Sequence, residues 1–167
     1  MAALTPRPLA AGAFAPFGDV LSFDPAKALL VNGGNALRSN LPARLACSTG
    51  EPRLALYRVE AQRLPLTIAV MEHHPNSSQA FMPLAAERFL VVVAPTAADG
   101  SPDVLRCEAF VGQRGQGFNY YAGVWHAPIV ALDAGGDFLM LIWEQGVSTD
   151  CRVQRLSRPI QIVSDPR

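Results

Sequence analysis

The chain has 167 residues, half of them apolar, and its 14 basic side chains are balanced by 14 acidic ones. This length predicts a single domain, residues 1–167, with a sizeable hydrophobic core. No run of about 18 apolar residues occurs, so a membrane span is not expected. The basic residues form no cluster, which gives no electrostatic support for nucleic-acid binding. The proline-interrupted N-terminus does not have the pattern of a signal peptide.

The three cysteines, Cys47, Cys107 and Cys151, are odd in number and widely spaced. That pattern fits neither a disulfide framework nor a CxxC metal site. We therefore expect small, buried thiols in a reducing compartment, which predicts a cytoplasmic protein.

The first part of the chain, about residues 1–50, is interpreted as an irregular arm. Within it, Asp24–Leu30 predicts one helical turn, with Asp24 as its cap and Pro25 in its first position. The Asn-Gly-Gly-Asn sequence at residues 32–35 is typical of a turn. The arm is expected to end in the strands of a core, about residues 54–145, which a tail of residues 146–167 follows.

The core sequence alternates apolar and polar residues over short stretches separated by turn residues. Phe89–Ala94 is apolar on both faces and is predicted to be a buried central strand. Many short strands and very little helix predict an all-β sandwich or barrel. The predicted strands are Leu54–Val59, Leu66–His73, Phe89–Ala94, Leu105–Val111, Asn119–Tyr121, Val124–Val130, Phe138–Trp143 and Ile160–Val163.

Two polar segments, Glu72–Leu84 and Gly117–Pro128, interrupt this apolar chain and contain all three histidines. Imidazole is a common metal ligand and the usual proton carrier at neutral pH. In an extended strand His74 shares a face with Glu72, whereas His73 points the other way, so we favour His74 and His126 as pocket residues. The alternative is that these histidines are ordinary core or surface residues.

Other polar side chains of these segments are candidates for binding a small molecule. Gln79 can both donate to and accept from a urea-like group, and Tyr120 can supply a phenol. The alternatives are a turn glutamine and a half-buried strand aromatic. Ser77 and Ser78 have no partnered base nearby, so a nucleophilic serine is not expected. Gly115–Gly117 lacks the pattern of a phosphate loop, and no nucleotide cofactor is predicted.

Several stretches resemble the ureidoglycolate lyase family in order and spacing. They are FAPFGDVL at the start, MEHHPNSSQAFMPL, FLVVVAP, GQGFNYYAGVWHAP and the Asp-Phe pair at 137. The resemblance implies a cupin-type barrel, a double-stranded β-helix or jelly roll, that acts as a homodimer. It also implies a carbon–nitrogen lyase that converts ureidoglycolate to glyoxylate and urea late in allantoin (purine) catabolism.

The resemblance also assigns roles to residues. His74, Gln79 and His126 fall where cupins carry pocket ligands, and the family implies a divalent metal, with nickel the metal it suggests. Without a metal, His74 and His126 would serve as base and acid, with Glu72 orienting a histidine. The expected substrate-binding residues are Gln79, Arg38, Arg58 and Tyr120, of which the arginines would pair with the substrate carboxylate.

The sequence departs from the family pattern at four positions: His73, Ala127, Trp143 and Glu144. These departures leave two alternatives open. One is a cupin-fold protein that binds a small molecule without this chemistry, and the other is a related lyase or hydrolase acting on a different small carboxylate. A purely structural protein would have no cavity joining His74 to His126.

Overall fold

The computed structural model describes residues 2–164, whose regular secondary structure is nearly all β-strand. The helical parts are α1 (Ala11–Phe14) and short 3-10 turns at Pro25–Lys27, Asn32–Gly34 and Val104–Arg106. None of the helices among the described residues has the length and apolar character needed to cross a bilayer. The strands are β1 (Ala2–Leu4), β2 (Arg7–Pro8), β3 (Gly18–Ser22), β4 (Leu29–Val31), β5 (Ala36–Arg38), β6 (Glu51–Val59), β7 (Ala61–Gln62), β8 (Leu66–His73), β9 (Gln79–Pro83), β10 (Arg88–Ala94), β11 (Glu108–Gln113), β12 (Gln116–Tyr120), β13 (Trp125–His126), β14 (Val130–Leu132), β15 (Gly136–Glu144) and β16 (Arg152–Ile162).

These strands form two main sheets and one separate hairpin. The larger sheet runs in the order β1-β16-β8-β13-β10-β11-β2, and β14 pairs with both β10 and β7. The smaller sheet runs β3-β12-β9-β15-β6, and β4 pairs with β5 alone. The predicted all-β class with minor helix is therefore confirmed.

Strand β10 is the central strand of the larger sheet and is buried on both faces. Phe89, Val91 and Val93 point into one hydrophobic cluster, whereas Leu90 and Val92 point into a second cluster on the opposite face. Since successive side chains of a strand alternate between faces, an unbroken apolar run is what such a position requires. The prediction of a buried strand at Phe89–Ala94 is thus confirmed.

The cluster on the first face is rich in aromatic rings from both sheets. We call five fully buried members the phenylalanine cluster: Phe14, Phe89, Phe110, Phe118 and Phe138. Their rings meet edge-on or tilted, with Phe89 5.5 Å from Phe118 and 5.7 Å from Phe138 between centroids. This geometry is the favoured one for aromatic pairs, so the cluster forms a well-packed core between the sheets.

Several element boundaries differ from those predicted, for local reasons. The predicted strand Val124–Val130 is split into β13 and β14, because Pro128 has no N–H to donate to a neighbouring strand. The predicted strand at Leu105–Val111 begins later, because Asp103 caps a 3-10 turn by accepting from the backbone N–H of Leu105. Asp24 caps the Pro25–Lys27 turn as predicted, although the turn is short.

The arm and the tail take a larger part in the sheets than the sequence suggested. Strand β3 of the arm pairs along its whole length with β12, and β16 of the tail pairs with β8, where Arg152 lies opposite His73. The tail strand, predicted only at Ile160–Val163, is longer because a bulge between Arg155 and Ile160 lets it continue past a register shift. The division into arm, core and tail stays a prediction, and residues 1 and 165–167 lie outside the described part.

Candidate active site

The three side chains Glu72, His74 and His126 converge where β8 ends. Glu72 is the last but one residue of β8, and the strand register places His126 of β13 directly opposite it. His74 follows the strand, and its backbone carbonyl accepts a hydrogen bond from the N–H of Gly123. This bond ties the two polar segments together, so the histidines approach from both sides. We call these three residues the polar cluster.

The polar cluster is compact and largely shielded from solvent. One ligand atom from each member lies within 4.8 Å of the others. The His74 and His126 rings are stacked with centroids 5.6 Å apart, and His126 Nε2 lies 3.7 Å from Glu72 Oε1. That separation is longer than a direct hydrogen bond and suits two ligands of one ion.

Both histidines of the cluster are oriented by backbone carbonyls. His74 Nδ1 lies 3.0 Å from the Asp150 carbonyl oxygen, and His126 Nδ1 lies 2.9 Å from the Val124 carbonyl oxygen. Because a carbonyl only accepts, each Nδ1 carries the proton and each Nε2 is left with a lone pair. Among the described residues, neither buried Nε2 atom has a hydrogen-bond partner. Such a pair of imidazoles is prepared to bind a metal or a substrate proton.

The surroundings shift the pKa values of two members of the cluster, Glu72 and His74, downward. The contact with His126 lowers the pKa of Glu72, against an opposing effect of burial. Burial, followed by the nearby His126, lowers the pKa of His74. An ionised carboxylate and a neutral imidazole are the forms that bind a cation. The donor set therefore fits a divalent metal, for which imidazole nitrogen and carboxylate oxygen are ordinary ligands.

The cluster opens into a cavity of about 280 Å³. Tyr120 covers one side of His126, with the two rings stacked at 4.1 Å, and burial raises the pKa of its phenol, which therefore stays protonated. Gln79 also lines the cavity, and its buried Oε1 has no hydrogen-bond partner among the described residues. The full lining is Tyr57, Arg58, Val59, Glu60, Glu72, Gln79, Phe81, Tyr120, His126, Ala127, Pro128 and Ile129.

The structure does not bring the two predicted arginines to the polar cluster. Arg58 borders the cavity, but its guanidinium is 84% exposed and donates two bonds to Asp137, at 2.9 and 3.0 Å. Its neighbour Tyr57 occupies the inner face of β6, with its ring edge against Phe81, because adjacent strand residues point in opposite directions. Arg38 lies in the β4-β5 hairpin and is not among the residues that line this cavity.

His73, the histidine not favoured from the sequence, is buried on the other face of β8. Its ring packs on Trp125 with centroids 4.1 Å apart, so it does not join the polar cluster. Two residues near the cluster were not anticipated, namely Tyr57 and Cys151. Cys151 Sγ lies 3.9 Å from Glu72 Oε2, and burial together with Glu72 raises its pKa to about 11.

Tyr57 could have been predicted from the alternation of side chains along its strand. The alternation puts Tyr57 and Arg58 on opposite faces, so only one of the two can point inward. No sequence pattern linked Cys151 to Glu72, since 78 intervening residues separate them and only the pairing of β16 with β8 brings them together. Long-range sheet pairing of this kind is the part of a site that local patterns do not reveal.

An all-β barrel with a histidine and carboxylate cluster in its interior defines a cupin-type protein. Among solved structures, the fold is similar to that of a dTDP sugar isomerase from Desulfovibrio desulfuricans G20. The TM-score is 0.50 and the sequence identity 14%, and the match covers 83% of each chain. This likeness concerns the fold alone.

The sequence comparisons are more specific. The family profile described as ureidoglycolate lyase matches residues 1–163. A ureidoglycolate lyase from Pseudomonas syringae pv. tomato is 36% identical, over 99% of this chain and 97% of that protein. One from Burkholderia cepacia is 44% identical over 77% of this chain and 73% of its own length. The chain therefore belongs to the ureidoglycolate lyase family.

Proposed function

We propose that this protein is a ureidoglycolate lyase, which cleaves ureidoglycolate to glyoxylate and urea. Family membership supports the reaction, and the polar cluster supports the presence of chemistry in this chain. The single observation that carries the proposal is the pair of buried imidazole Nε2 atoms beside an ionised carboxylate, in a cluster of which Glu72 and His126 line one small cavity. The family resemblance implies that this reaction falls late in allantoin (purine) breakdown.

The reaction needs one proton to move from oxygen to nitrogen. The hydroxyl on the central carbon loses its proton, the bond from that carbon to the ureido nitrogen breaks, and the nitrogen gains a proton as urea leaves. We assign this transfer to Glu72, whose carboxylate is ionised and only part-buried, with His74 and His126 beside it. One carboxylate can accept the proton and return it, so no further reactant is required.

The side chains that would hold a metal are His74 and His126 through Nε2, and Glu72 through one carboxylate oxygen, with the Gln79 oxygen nearby. When bound, a divalent cation would acidify the substrate hydroxyl and balance the charge of the substrate carboxylate. This second effect matters because Arg58 is engaged with Asp137 and Arg38 lies away from the cavity lining. Nickel is the metal that the resemblance suggests.

The remaining polar lining is suited to the ureido group. The partnerless Oε1 of Gln79 can accept an N–H, and its amide nitrogen can donate to the ureido carbonyl. The protonated phenol of Tyr120, stacked on His126, can donate to a substrate oxygen. A buried acceptor left without a partner is costly, so the substrate gains affinity by supplying one.

The proposal is tested by incubating purified protein with ureidoglycolate and measuring glyoxylate and urea in parallel. We expect equal amounts of both products, a loss of activity after chelation, and recovery with one divalent metal, which elemental analysis of untagged protein identifies. Binding of ureidoglycolate without release of urea would instead support a non-catalytic cupin. Turnover of other small carboxylates alone would support a related lyase or hydrolase.

The proposal includes a cytoplasmic location and a homodimer. Cys47, Cys107 and Cys151 are all free thiols, as is typical of a reducing compartment. The outer face of the smaller sheet supports a dimer, because its strand register aligns apolar side chains in two rows across β6, β15 and β9. The rows are Leu56, Leu139 and Met82, and Leu54, Leu141 and Ala80.

These rows are an unusual surface for a monomer. Leu54 and Leu56 are 70% and 71% exposed. Large exposed apolar patches mark interaction sites, and the same face on two copies can pack about a twofold axis. Light scattering on the wild type should give the mass of two chains, and Leu56→Glu should shift it toward one. A wild-type mass of one chain at micromolar concentration would contradict the dimer.

A further inference from the structure

Of the twelve residues that line the cavity, eight form two groups of opposite character. The polar group contains Glu72, Gln79, Tyr120 and His126. The other group, which we call the apolar shelf, contains Val59, Phe81, Pro128 and Ile129. The shelf carries no side-chain donor or acceptor, so it cannot bind the carboxylate, the hydroxyl or the ureido group of a small acid.

The position of the shelf relative to the substrate follows from strand β9. Gln79 and Phe81 are two residues apart on the same face of β9, which separates them by roughly 7 Å along the strand. Tyr120, which stacks on His126, lies opposite Gln79 in the register of β12 on β9, so Phe81 is farther than Gln79 from the polar cluster. Pro128 is exposed, and Val59 and Ile129 are part-buried, so the shelf continues outward to the opening of the cavity.

The cavity extends over the shelf as well as over the polar lining. Its volume of about 280 Å³ corresponds to about nine waters at about 30 Å³ each. Ureidoglycolate places all its polar groups against the polar lining, and water left on the shelf would lack hydrogen-bond partners there. Replacing such water by an apolar group is favourable, since it removes apolar surface from water on both sides.

We propose that this site accepts ureidoglycolates that carry an apolar substituent on the nitrogen farthest from the reacting carbon. The inference rests on the proposed function. The same bond breaks between the central carbon and the near nitrogen, the hydroxyl proton moves to that nitrogen, and the products are glyoxylate and an N-alkylurea. The substituent lies on the shelf and takes no part in the proton transfer.

The first test uses the wild-type, metal-loaded protein with ureidoglycolate and its N-butyl derivative. We expect kcat/KM for the N-butyl substrate to equal that for ureidoglycolate within about tenfold, or to exceed it. Butylurea should inhibit at least about tenfold more tightly than urea, because each added methylene contributes to binding in an apolar site. Cleavage of ureidoglycolate without cleavage of, or inhibition by, the butyl compounds would overturn this inference alone. If ureidoglycolate itself is not cleaved, the proposed function fails.

The second test asks whether the shelf is the surface responsible. Ile129→Asn should lower the ratio of kcat/KM for N-butylureidoglycolate over ureidoglycolate by at least about tenfold, because the amide must be desolvated against the alkyl chain. Leu105→Asn is the matched control, since Leu105 is 85% exposed and does not line this cavity. An equal ratio in wild type and in folded Ile129→Asn, checked by thermal unfolding, would overturn the assignment of the shelf. If Ile129→Asn does not fold, the inhibition of the wild type by butylurea, compared with urea, tests the proposal instead.

Discussion

The phenylalanine cluster and the polar cluster are neighbouring regions of opposite content. Strand β12 links them, because Phe118 belongs to the first and Tyr120, two residues along the same face, stacks on His126 of the second. The rings follow each other from Phe118 to Tyr120 at 5.0 Å and from Tyr120 to His126 at 4.1 Å. One region is filled by hydrocarbon, whereas the other keeps nitrogen and oxygen atoms without partners beside a cavity. Stability is concentrated in the first region and chemistry in the second.

The largest effect is expected from His126→Ala. It removes one of the two Nε2 atoms of the polar cluster that have no hydrogen-bond partner among the described residues, and we predict a loss of about 10³-fold or more in kcat/KM, in the range of general acid–base and ligand deletions. The midpoint of thermal unfolding should change little, because two effects on stability oppose each other. The variant removes a buried polar atom that lacks a partner, which stabilises the fold, and it leaves a small cavity, which destabilises it. Steady-state kinetics on ureidoglycolate and a thermal scan measure the two quantities.

His73→Ala is the matched control for that variant, because His73 is also a buried imidazole of the same segment but packs on Trp125. It should lose stability through the lost ring contact and keep kcat/KM within about tenfold. If His73→Ala abolished turnover while His126→Ala retained it, the assignment of the site to the face of Glu72 would be wrong.

The other region is tested by Phe89→Ala. Phe89 is fully buried among the rings of Phe118 and Phe138, and its deletion should cost about 3–5 kcal/mol in the free energy of unfolding. The Phe89→Ala molecules that remain folded should have the same KM for ureidoglycolate as the wild type. Urea denaturation followed by tryptophan fluorescence measures the loss, and Phe23→Ala, at a side chain that is 52% exposed, should cost far less. A raised KM in folded Phe89→Ala would show that the two regions are coupled.

The buried central strand of the first region could be predicted from the sequence. The unbroken apolar run Phe89–Ala94 can only be satisfied by burial on both faces, and the alternation from Leu66 onward fixes the face on which Glu72 lies. The same alternation, extended by one residue, indicated that His74 and not His73 shares that face. These inferences depend on local periodicity, which can be read directly from the sequence.

The rest of the site depends on pairings that no local pattern encodes. Strand β9 was not predicted, because Asn76 and the serines before Gln79 are typical of a loop and Pro83 ends the stretch. Arg58 was expected to pair with the substrate carboxylate, and that role stays a prediction. The register of β6 on β15 places it opposite Asp137, to which its guanidinium donates a hydrogen bond. The positive charge of Arg58 suggested that it binds the substrate carboxylate. The side chain that points to the inner face of β6 is that of its neighbour, Tyr57.

A smaller effect is expected from Gln79→Leu. Loss of the amide removes about one hydrogen bond to the ureido group, and a net value of about 1–1.5 kcal/mol corresponds to a rise in KM of about tenfold. We expect kcat to change less, since Gln79 does not take part in the proton transfer. Gln113→Leu, at an exposed glutamine, provides the comparison. A fall in kcat with unchanged KM would instead indicate that the Gln79 oxygen acts on the reacting centre.

The smallest effect is expected from chemical labelling of the three thiols. One lies at the surface, one in the core and one beside the site. Burial raises the pKa of Cys107 to about 12 and that of Cys151 to about 11, whereas Cys47 is exposed. Since only the thiolate reacts and a raised pKa reduces its fraction, iodoacetamide at pH 8 should label Cys47 alone, without loss of activity. Mass spectrometry of the labelled protein reports the sites. As the pH rises toward 11, Cys151 should react before Cys107, and activity should fall with it because the added group lies against Glu72. Labelling of Cys107 as fast as Cys47 would mean that the second core cluster opens readily, which its burial contradicts.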